Sequence, residues 1–283
     1  MLKFAVIGHP INHSLSPKMH AANFKALSID AEYEKFDVLP EDLISFVRAK
    51  RDEGYRGLNV TIPHKIAVID ALDNIDKSVE EYGSCNTIRF EEDGKISGFN
   101  TDITGYLDVL KRQNFDLSGK RVVILGCGGA GGALAAASLR SGAAEVLVGA
   151  RRRESEDRLL ERLAKIPSSC HIGRFCASDL ETARAADLVV NATPLGLKED
   201  DPSPLPQEAF RPGQLVLDII PLQRLPPMAK SAKTAGAIAL DGLDFLVAQG
   251  AESFKIWINQ EANREVMRAT FFNTPLDFRP NIR

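Results

Sequence analysis

The chain has 283 residues, 44% of them hydrophobic, and a formal net charge of -3. That length suits one large domain or two ordinary ones with a substantial core, and the charge balance excludes a global attraction to nucleic acid or to anionic membranes. No uncharged apolar segment approaches the ~18 residues that a bilayer span needs, and nothing at the N-terminus resembles a signal peptide, so a cytoplasmic protein is expected.

The first stretch, "KFAVIG", has the pattern of a buried strand, and the turn-rich "HPINHSLSP" follows it. Pro17 is placed to open a helix through "KMHAANFKAL", because a proline at the first helical position loses no hydrogen bond. "AEYEKFDV" reads as a strand, "PEDLISFVRAKRDE" as an amphipathic helix and "GLNVTI" as a strand. "IAVIDAL" reads as helical, and "SCNTIRFEEDGKISGFN" as a hairpin turning at Asp93-Gly94. Strands alternating with helices predict an α/β sheet of parallel character. A helix over "TDITGYLDVLKRQN" then leads into a second region.

From "LSGKRVVILG" onward the order is strand, glycine turn, Ala-rich helix, strand ("AEVLVGA"), helix ("SEDRLLERLAKI"), strand, helix, strand ("ADLVVNAT"). This is the βαβαβ pattern of a Rossmann unit. "QLVLDII" and "GAIAL" add further strands, "EDDPSPLPQEAFRPG" is a surface loop, and "LDFLVAQGAESFKIWINQ" is a helix expected to pack back on the first region. The expected class is therefore α/β, with an N-terminal α/β domain, a Rossmann-type dinucleotide-binding domain and a cleft between them. The expected boundaries are 1–102, 103–237, and a C-terminal helical segment 238–283 that returns to the N-terminal domain.

"RVVILGCGGAGGAL" places Gly126, Gly128 and Gly131 in a GxGxxG turn, directly after a strand and directly before a helix. Such glycines let the backbone approach a pyrophosphate, which rests on the amides of the helix N-terminus. At the end of the next strand an NAD enzyme places a carboxylate on the ribose hydroxyls. Here the chain reads Ala150-Arg151-Arg152-Arg153. A guanidinium grips a phosphate dianion through a fork of charge-assisted hydrogen bonds, so the cofactor reads as NADP(H). Arg151 and Arg152 are the expected contacts, with Arg153 on the following helix. The competing reading is a solvated basic turn beside "ESEDR".

The N-terminal region carries small polar residues at successive strand ends: Ser14 and Ser16, Asn59, Thr61 and Lys65, Asn86, then Asn100 and Asp102. All of them could meet at one edge of the sheet, where open α/β sheets bind ligands. Hydroxyls and amides suit a small polyhydroxylated acid. Among these residues only Lys65 and Asp102 form a pair with acid–base capability. Taken singly, each Ser-x-Ser or Asn-x-Thr also reads as a cap or a turn. Cys85, Cys127, Cys170 and Cys176 form no CxxC pair and no metal spacing with the five histidines. Reduced, mostly buried thiols and no metal are expected.

"HSLSP", "NVTIPHK", "CNTI", "NTDITG", "GCGGAGGA", "NATPLG" and "DGLDFLVAQ" stand in the order and spacing of the shikimate dehydrogenase family, and the resemblance covers nearly the whole chain. It implies the NADP(H)-dependent, reversible reduction of 3-dehydroshikimate to shikimate, a step of aromatic amino-acid biosynthesis. It also implies that Lys65 and Asp102 are the catalytic pair and that Ser14 and Ser16 hold the substrate carboxylate. Asn59, Thr61, Asn86 and Gln249 would contact ring hydroxyls or hold the neighbouring side chains. For the cofactor it implies the turn Gly126, Gly128, Gly129, Ala130 and Gly131, then Ala150, Arg151 and Arg152, with Thr193, Ile219 and Gly242 completing the set. Two departures stand out. The family commonly reads Asn-Arg-Thr where this chain has Ala150-Arg151-Arg152, and many members carry a tyrosine where this chain has Pro221, which offers neither a hydroxyl nor an N–H.

Alternatives within the fold are a quinate/shikimate dehydrogenase or a paralogue acting on another cyclic hydroxy acid. The alternative from another class is a Rossmann protein that senses NADP(H) without catalysis, for which a proton relay at Lys65 and Asp102 would have no use. A homodimer is left open, and no nucleic acid or membrane partner is expected.

Overall fold

The computed structural model describes residues 1–272. Its first unit opens with β1 (Leu2–Gly8), a strand with five consecutive buried residues. Then come α1 (Ser16–Ala26), β2 (Ala31–Asp37), α2 (Leu43–Asp52), β3 (Gly57–Val60), β4 (Asn74–Ile75), α3 (Lys77–Tyr82), β5 (Thr87–Phe90) and β6 (Ile96–Phe99). The strand order is β2-β1-β3-β5-β6-β4. β2, β1 and β3 are mutually parallel, whereas β5 runs antiparallel to both β3 and β6. Because β5 reverses direction, the C-terminal ends of β1, β3 and β6 and the N-terminal end of β5 lie at one edge. That edge is where the polar motifs sit.

Next follow α4 (Thr101–Arg112), β7 (Arg121–Leu125), α5 (Gly129–Arg140), β8 (Glu145–Gly149), α6 (Arg153–Leu163), β9 (His171–Arg174), α7 (Leu180–Ala185), β10 (Leu188–Asn191), β11 (Leu215–Asp218), α8 (Pro227–Thr234) and β12 (Ile238–Leu240). The second sheet has the order β12-β11-β10-β7-β8-β9 and is parallel throughout. Its strands are near-continuous apolar runs, as a sheet covered on both faces requires. On one face Val122, Ile124, Val146, Val148 and Val190 share a cluster with Tyr106 of α4 and Leu134 of α5. The order reverses between β7 and β10, which makes their C-terminal ends a switch-point crevice.

The chain closes with α9 (Gly242–Ile258) and α10 (Arg264–Ala269). α9 packs along α4, and its Trp257 indole N–H donates to the Ile88 carbonyl of β5 at 2.8 Å. The returning helix thus touches the first sheet. The part of the expected C-terminal segment beyond residue 272 lies outside the described residues.

The elements expected from periodicity are present, with informative differences. The "IAVIDAL" stretch forms a 3-10 helix, Ala67–Ala71, not an α-helix. Its buried residues, Val68 and Ala71, are three apart, which suits a period of three. β4, α3 and α10 have two, six and six residues, too few to display a period. The thiols are free, but only Cys85 is fully buried and Cys176 is exposed; a side chain at the start of the "CASD" turn faces water. Burial pushes the Cys85 thiol up to about 12, so it stays protonated.

Two buried titratable groups give the fold opposing pH responses. His20 is fully buried against Tyr33, with ring centroids 4.5 Å apart and both ring nitrogens unpartnered among the described residues. Burial lowers it to about 3, so its contribution to stability is fully present above pH 6.5 and is lost as pH falls. Asp218 is also fully buried, and burial raises its carboxyl to about 7, so folding is favoured as pH falls from 7 towards 4. Relative to wild type, His20→Phe removes the opposing histidine response, so stability should gain about 2 kcal/mol from pH 7 to 5. With Asp218→Asn it should fall by about the same amount. Urea unfolding at pH 7, 6 and 5 measures both, and parallel responses of the two variants would refute the assignment.

Candidate active site

Asn59, Lys65, Asn86, Asn100 and Asp102 form one hydrogen-bonded assembly at the edge of the first sheet. Asn100 caps α4 by accepting from the Asp102 backbone N–H at 3.1 Å, which sets Asp102 in the first turn, where the helix dipole favours a carboxylate. The Asp102 side chain is 1% exposed, and its Oδ2 accepts from Lys65 Nζ at 2.5 Å. Its Oδ1 accepts from Asn86 Nδ2 at 2.9 Å. Lys65 stands on the turn after β3 and is held at its backbone by the Cys85 N–H, which donates to the Lys65 carbonyl at 2.7 Å. Its side chain is 13% exposed, so the ammonium is largely shielded yet reachable. A short, partly desolvated Lys–carboxylate pair with one open side can transfer a proton to a ligand oxygen.

The remaining substrate-side candidates divide into two kinds. Asn86 and Asn59 are buried connectors. Asn86 Oδ1 accepts from the Thr101 N–H at 2.7 Å, and its Nδ2 also reaches Gln249 Oε1 on α9 at 3.3 Å. Asn59 Oδ1 accepts from the Tyr33 hydroxyl at 2.7 Å, while its Nδ2 donates to Asn86 O, Thr87 Oγ1 and Ser253 Oγ. Ser14, Thr61 and Lys65 are only partly buried. Ser16 begins α1, its N–H directed at Ser14 Oγ 3.4 Å away, and Pro17 lies in the helix's first turn as the sequence requires.

Sequence reasoning missed Tyr33, Thr87, Thr101 and Ser253, which complete this network. Ser253 lies four residues after Gln249 on the same face of α9, and its hydroxyl lies 2.8 Å from Thr87 Oγ1 and 3.1 Å from Thr101 Oγ1. That i,i+4 spacing was a usable signal. Tyr33 had none beyond the alternation of β2.

In the second unit each glycine of the turn has its own reason. A side chain at Gly126 (φ +108°) would meet the Ala192 carbonyl oxygen at 2.6 Å, so the turn seats on the end of β10. A side chain at Gly131 would come within 1.9 Å of the Gly126 carbonyl oxygen, so helix and turn pack without space between them. At Gly128 nothing among the described residues lies within 4 Å. That open position at the start of α5, which continues through Gly129 and Ala130, is what a pyrophosphate approaching helix amides requires.

At the end of β8, Glu156 Oε1 accepts from the Ala150 N–H at 2.7 Å, and its other oxygen lies 3.6 Å from Arg174. Glu156 and Asp157 of "ESEDR" are thus engaged with Ala150 and Arg174, while Arg151, Arg152 and Glu154 are exposed and unpaired among the described residues. Arg152 is the extended residue before α6, and Arg153 is already helical. Free guanidiniums beside an open glycine turn fit a dinucleotide carrying an added phosphate. Thr193 is fixed by its hydroxyl to Asn191 Oδ1 at 2.7 Å, and the Ile219 N–H donates to the Asn191 carbonyl at 3.1 Å. A side chain at Gly242 would strike the Ile220 and Ile219 backbone at 2.4 and 2.6 Å. These three residues therefore line the same C-terminal edge as the turn.

A parallel Rossmann sheet whose crevice faces a Lys–Asp pair on a second, mixed sheet defines a dinucleotide-dependent oxidoreductase. A model of the shikimate dehydrogenase substrate binding domain matches residues 6–88, and a model of the shikimate 5'-dehydrogenase C-terminal domain matches residues 242–270. Between them, a model described as NADP oxidoreductase coenzyme F420-dependent matches residues 121–221. The shikimate dehydrogenase (NADP(+)) of Methanopyrus kandleri is 41% identical over 93% of this chain and 92% of its own length. Among solved structures, the shikimate dehydrogenase of Aquifex aeolicus has a TM-score of 0.87 at 32% identity, covering 96% of this chain and 98% of that one. The Thermus thermophilus shikimate 5-dehydrogenase in complex with NADP(H) and shikimate has a TM-score of 0.83 at 35% identity over the same shares of the two chains. The chain belongs to the shikimate dehydrogenase family.

Proposed function

We propose that this chain carries out the NADP(H)-dependent, reversible reduction of 3-dehydroshikimate to shikimate in aromatic amino-acid biosynthesis. The observation that carries this reading is the 2.5 Å contact between Lys65 Nζ and the buried Asp102 carboxylate, at the sheet edge beside the glycine turn. Held on the glycine turn at Gly128, Gly129 and Ala130, NADP(H) would supply or take up the hydride at the substrate's C3 carbon. In reduction Lys65 donates a proton from Nζ to the C3 oxygen, and in oxidation it takes that proton back. Asp102 accepts from Nζ throughout and aims it, while Asn86 fixes the second carboxylate oxygen. Ser14 and Ser16 would receive the carboxylate, Thr61 and Gln249 the ring hydroxyls, and Asn59 would hold Tyr33 and Ser253 behind them.

On the cofactor side, Gly128, Gly129 and Ala130 would cradle the pyrophosphate, Arg151 and Arg152 the 2'-phosphate, and Thr193, Ile219 and Gly242 the nicotinamide end. The domain division that accompanies this reading is 1–102 for substrate and 103–237 for NADP(H), with the chain from 238 returning to the first domain. Its support is the packing of α9 on β5 and of α9 and α10 on α1. Among the described residues no helix is long and apolar enough to cross a membrane, which is in keeping with a cytoplasmic enzyme.

Pro221 makes the choice of substrate testable. Quinate adds a hydroxyl at the carbon that bears the carboxylate, the end served here by Ser14 and Ser16. Steady-state oxidation of shikimate and of quinate, each with NADP and with NAD, should give the highest kcat/KM for shikimate with NADP. A rate confined to quinate would move the assignment to a quinate dehydrogenase, and no rate with either would withdraw it.

A further inference from the structure

The turn that serves the cofactor also touches the proton-transfer pair, through Gly129. The Ser84 hydroxyl is fully buried and donates to the Gly129 carbonyl at 3.0 Å. The same hydroxyl accepts from Asn100 Nδ2 at 2.8 Å, and Asn100 Nδ2 also reaches the Ser84 carbonyl at 2.8 Å. Asn100 in turn holds the Asp102 N–H, and Asp102 holds Lys65. The ring closes back at Gly129, because a Cβ there would lie 2.7 Å from Lys65 Cβ, a distance real Cβ atoms do not tolerate. Lys65 Cβ is the root of that side chain, so it cannot step aside without moving the ammonium.

We infer that Ser84 and Gly129 are positioning residues that couple the glycine turn to Lys65 and Asp102. Gly129 lacks a side chain because Lys65 occupies that space, whereas Gly128 lacks one because the pyrophosphate needs the open side. The Ser84 hydroxyl ties the first residue of α5 to the cap that sets Asp102. Movement of the turn on cofactor binding would therefore be felt at the catalytic pair by direct contact. This inference rests on the reading of Lys65 and Asp102 as the proton-transfer pair, but one of its measurements needs neither substrate nor cofactor.

That measurement is the rate at which an amine-reactive reagent modifies Lys65 in the ligand-free protein, mapped by mass spectrometry. Ser84→Ala should raise it about fivefold, the equilibrium factor for one net hydrogen bond, and Gly129→Ala by at least as much. Gly128→Ala should leave it unchanged. In turnover, Gly129→Ala should lower kcat about 10–100-fold, the usual result of displacing a catalytic group by about an ångström. NADP affinity, measured by titration calorimetry, should change less than about threefold, since the amide donors remain. Gly128→Ala should show the reverse split, with weakened NADP binding. If Gly129→Ala and Ser84→Ala both leave Lys65 reactivity at the wild-type rate, the coupling does not exist and Gly129 serves the cofactor alone. A wild-type protein inactive on shikimate would overturn the proposed function, while the ligand-free reactivities would still decide this inference.

Discussion

Lys65→Ala is expected to lower turnover of shikimate by roughly 10²–10⁴, the range for loss of a general acid–base group. The expectation follows from isolation: among the described residues no other basic side chain bonds to Asp102, whose remaining side-chain partner is the Asn86 amide at 2.9 Å. NADP affinity should stay nearly constant, because the lysine meets the turn only through its carbon stem. The variant should also be less stable, since Asp102 is 1% exposed and removing the partner of a buried charge is costly. Turnover must therefore be counted per folded molecule, also in Lys65→Met, which keeps the stem against Gly129 but leaves Asp102 equally unpaired. Near-wild-type kcat in both variants would remove Lys65 from the reaction.

Replacing Arg151 and Arg152 together with Ala should weaken NADP by roughly 10²-fold or more, while NAD changes by less than about threefold, on the scale of two lost charge-assisted hydrogen bonds. The local geometry favours so clean a separation. Glu156 is already engaged by the Ala150 N–H and Arg174, so no acid is released toward the ribose when the arginines go. Affinity for NADP, but not for NAD, should also fall with rising salt, because both guanidiniums are solvent-exposed. Equal losses for the two cofactors would return "ARRRE" to the role of a solvated basic turn.

What could be read from the chain follows physical range. The strand before the glycine turn, the turn itself and the helix after it are specified within about a dozen residues, because strand pattern, tight turn and helix start are local properties. Pro17 and Asn100 mark helix starts for the same reason. The short β4, α3 and α10 escaped because packing against neighbours sustains them and they have no length in which to show a period. Residues Ala67–Ala71 escaped in kind, because an apolar run that short fits a 3-10 turn as well as an α-helix until its neighbours select the buried face.

For the site, the residue types and the pairing of Lys65 with Asp102 were legible, and the hydrogen bonds that hold the pair were not. Lys65, Asp102, Asn86 and the arginines stand out by sequence, since turns after apolar strands are where α/β sheets carry chemistry, and the family resemblance assigns them roles. The sequence by itself determined the two-sheet α/β class, the dinucleotide turn and the absence of an acid after β8. Only the tertiary structure decided that Lys65 and Asp102, 37 positions apart, meet at 2.5 Å. It also decided that Ser253 and Gln249 close the network from α9, and that Gly129 is kept bare by Lys65. The reason is the reversal of β5, which brings distant strand ends to one edge: strand direction is set by long-range pairing and burial, and no window of neighbouring residues contains it.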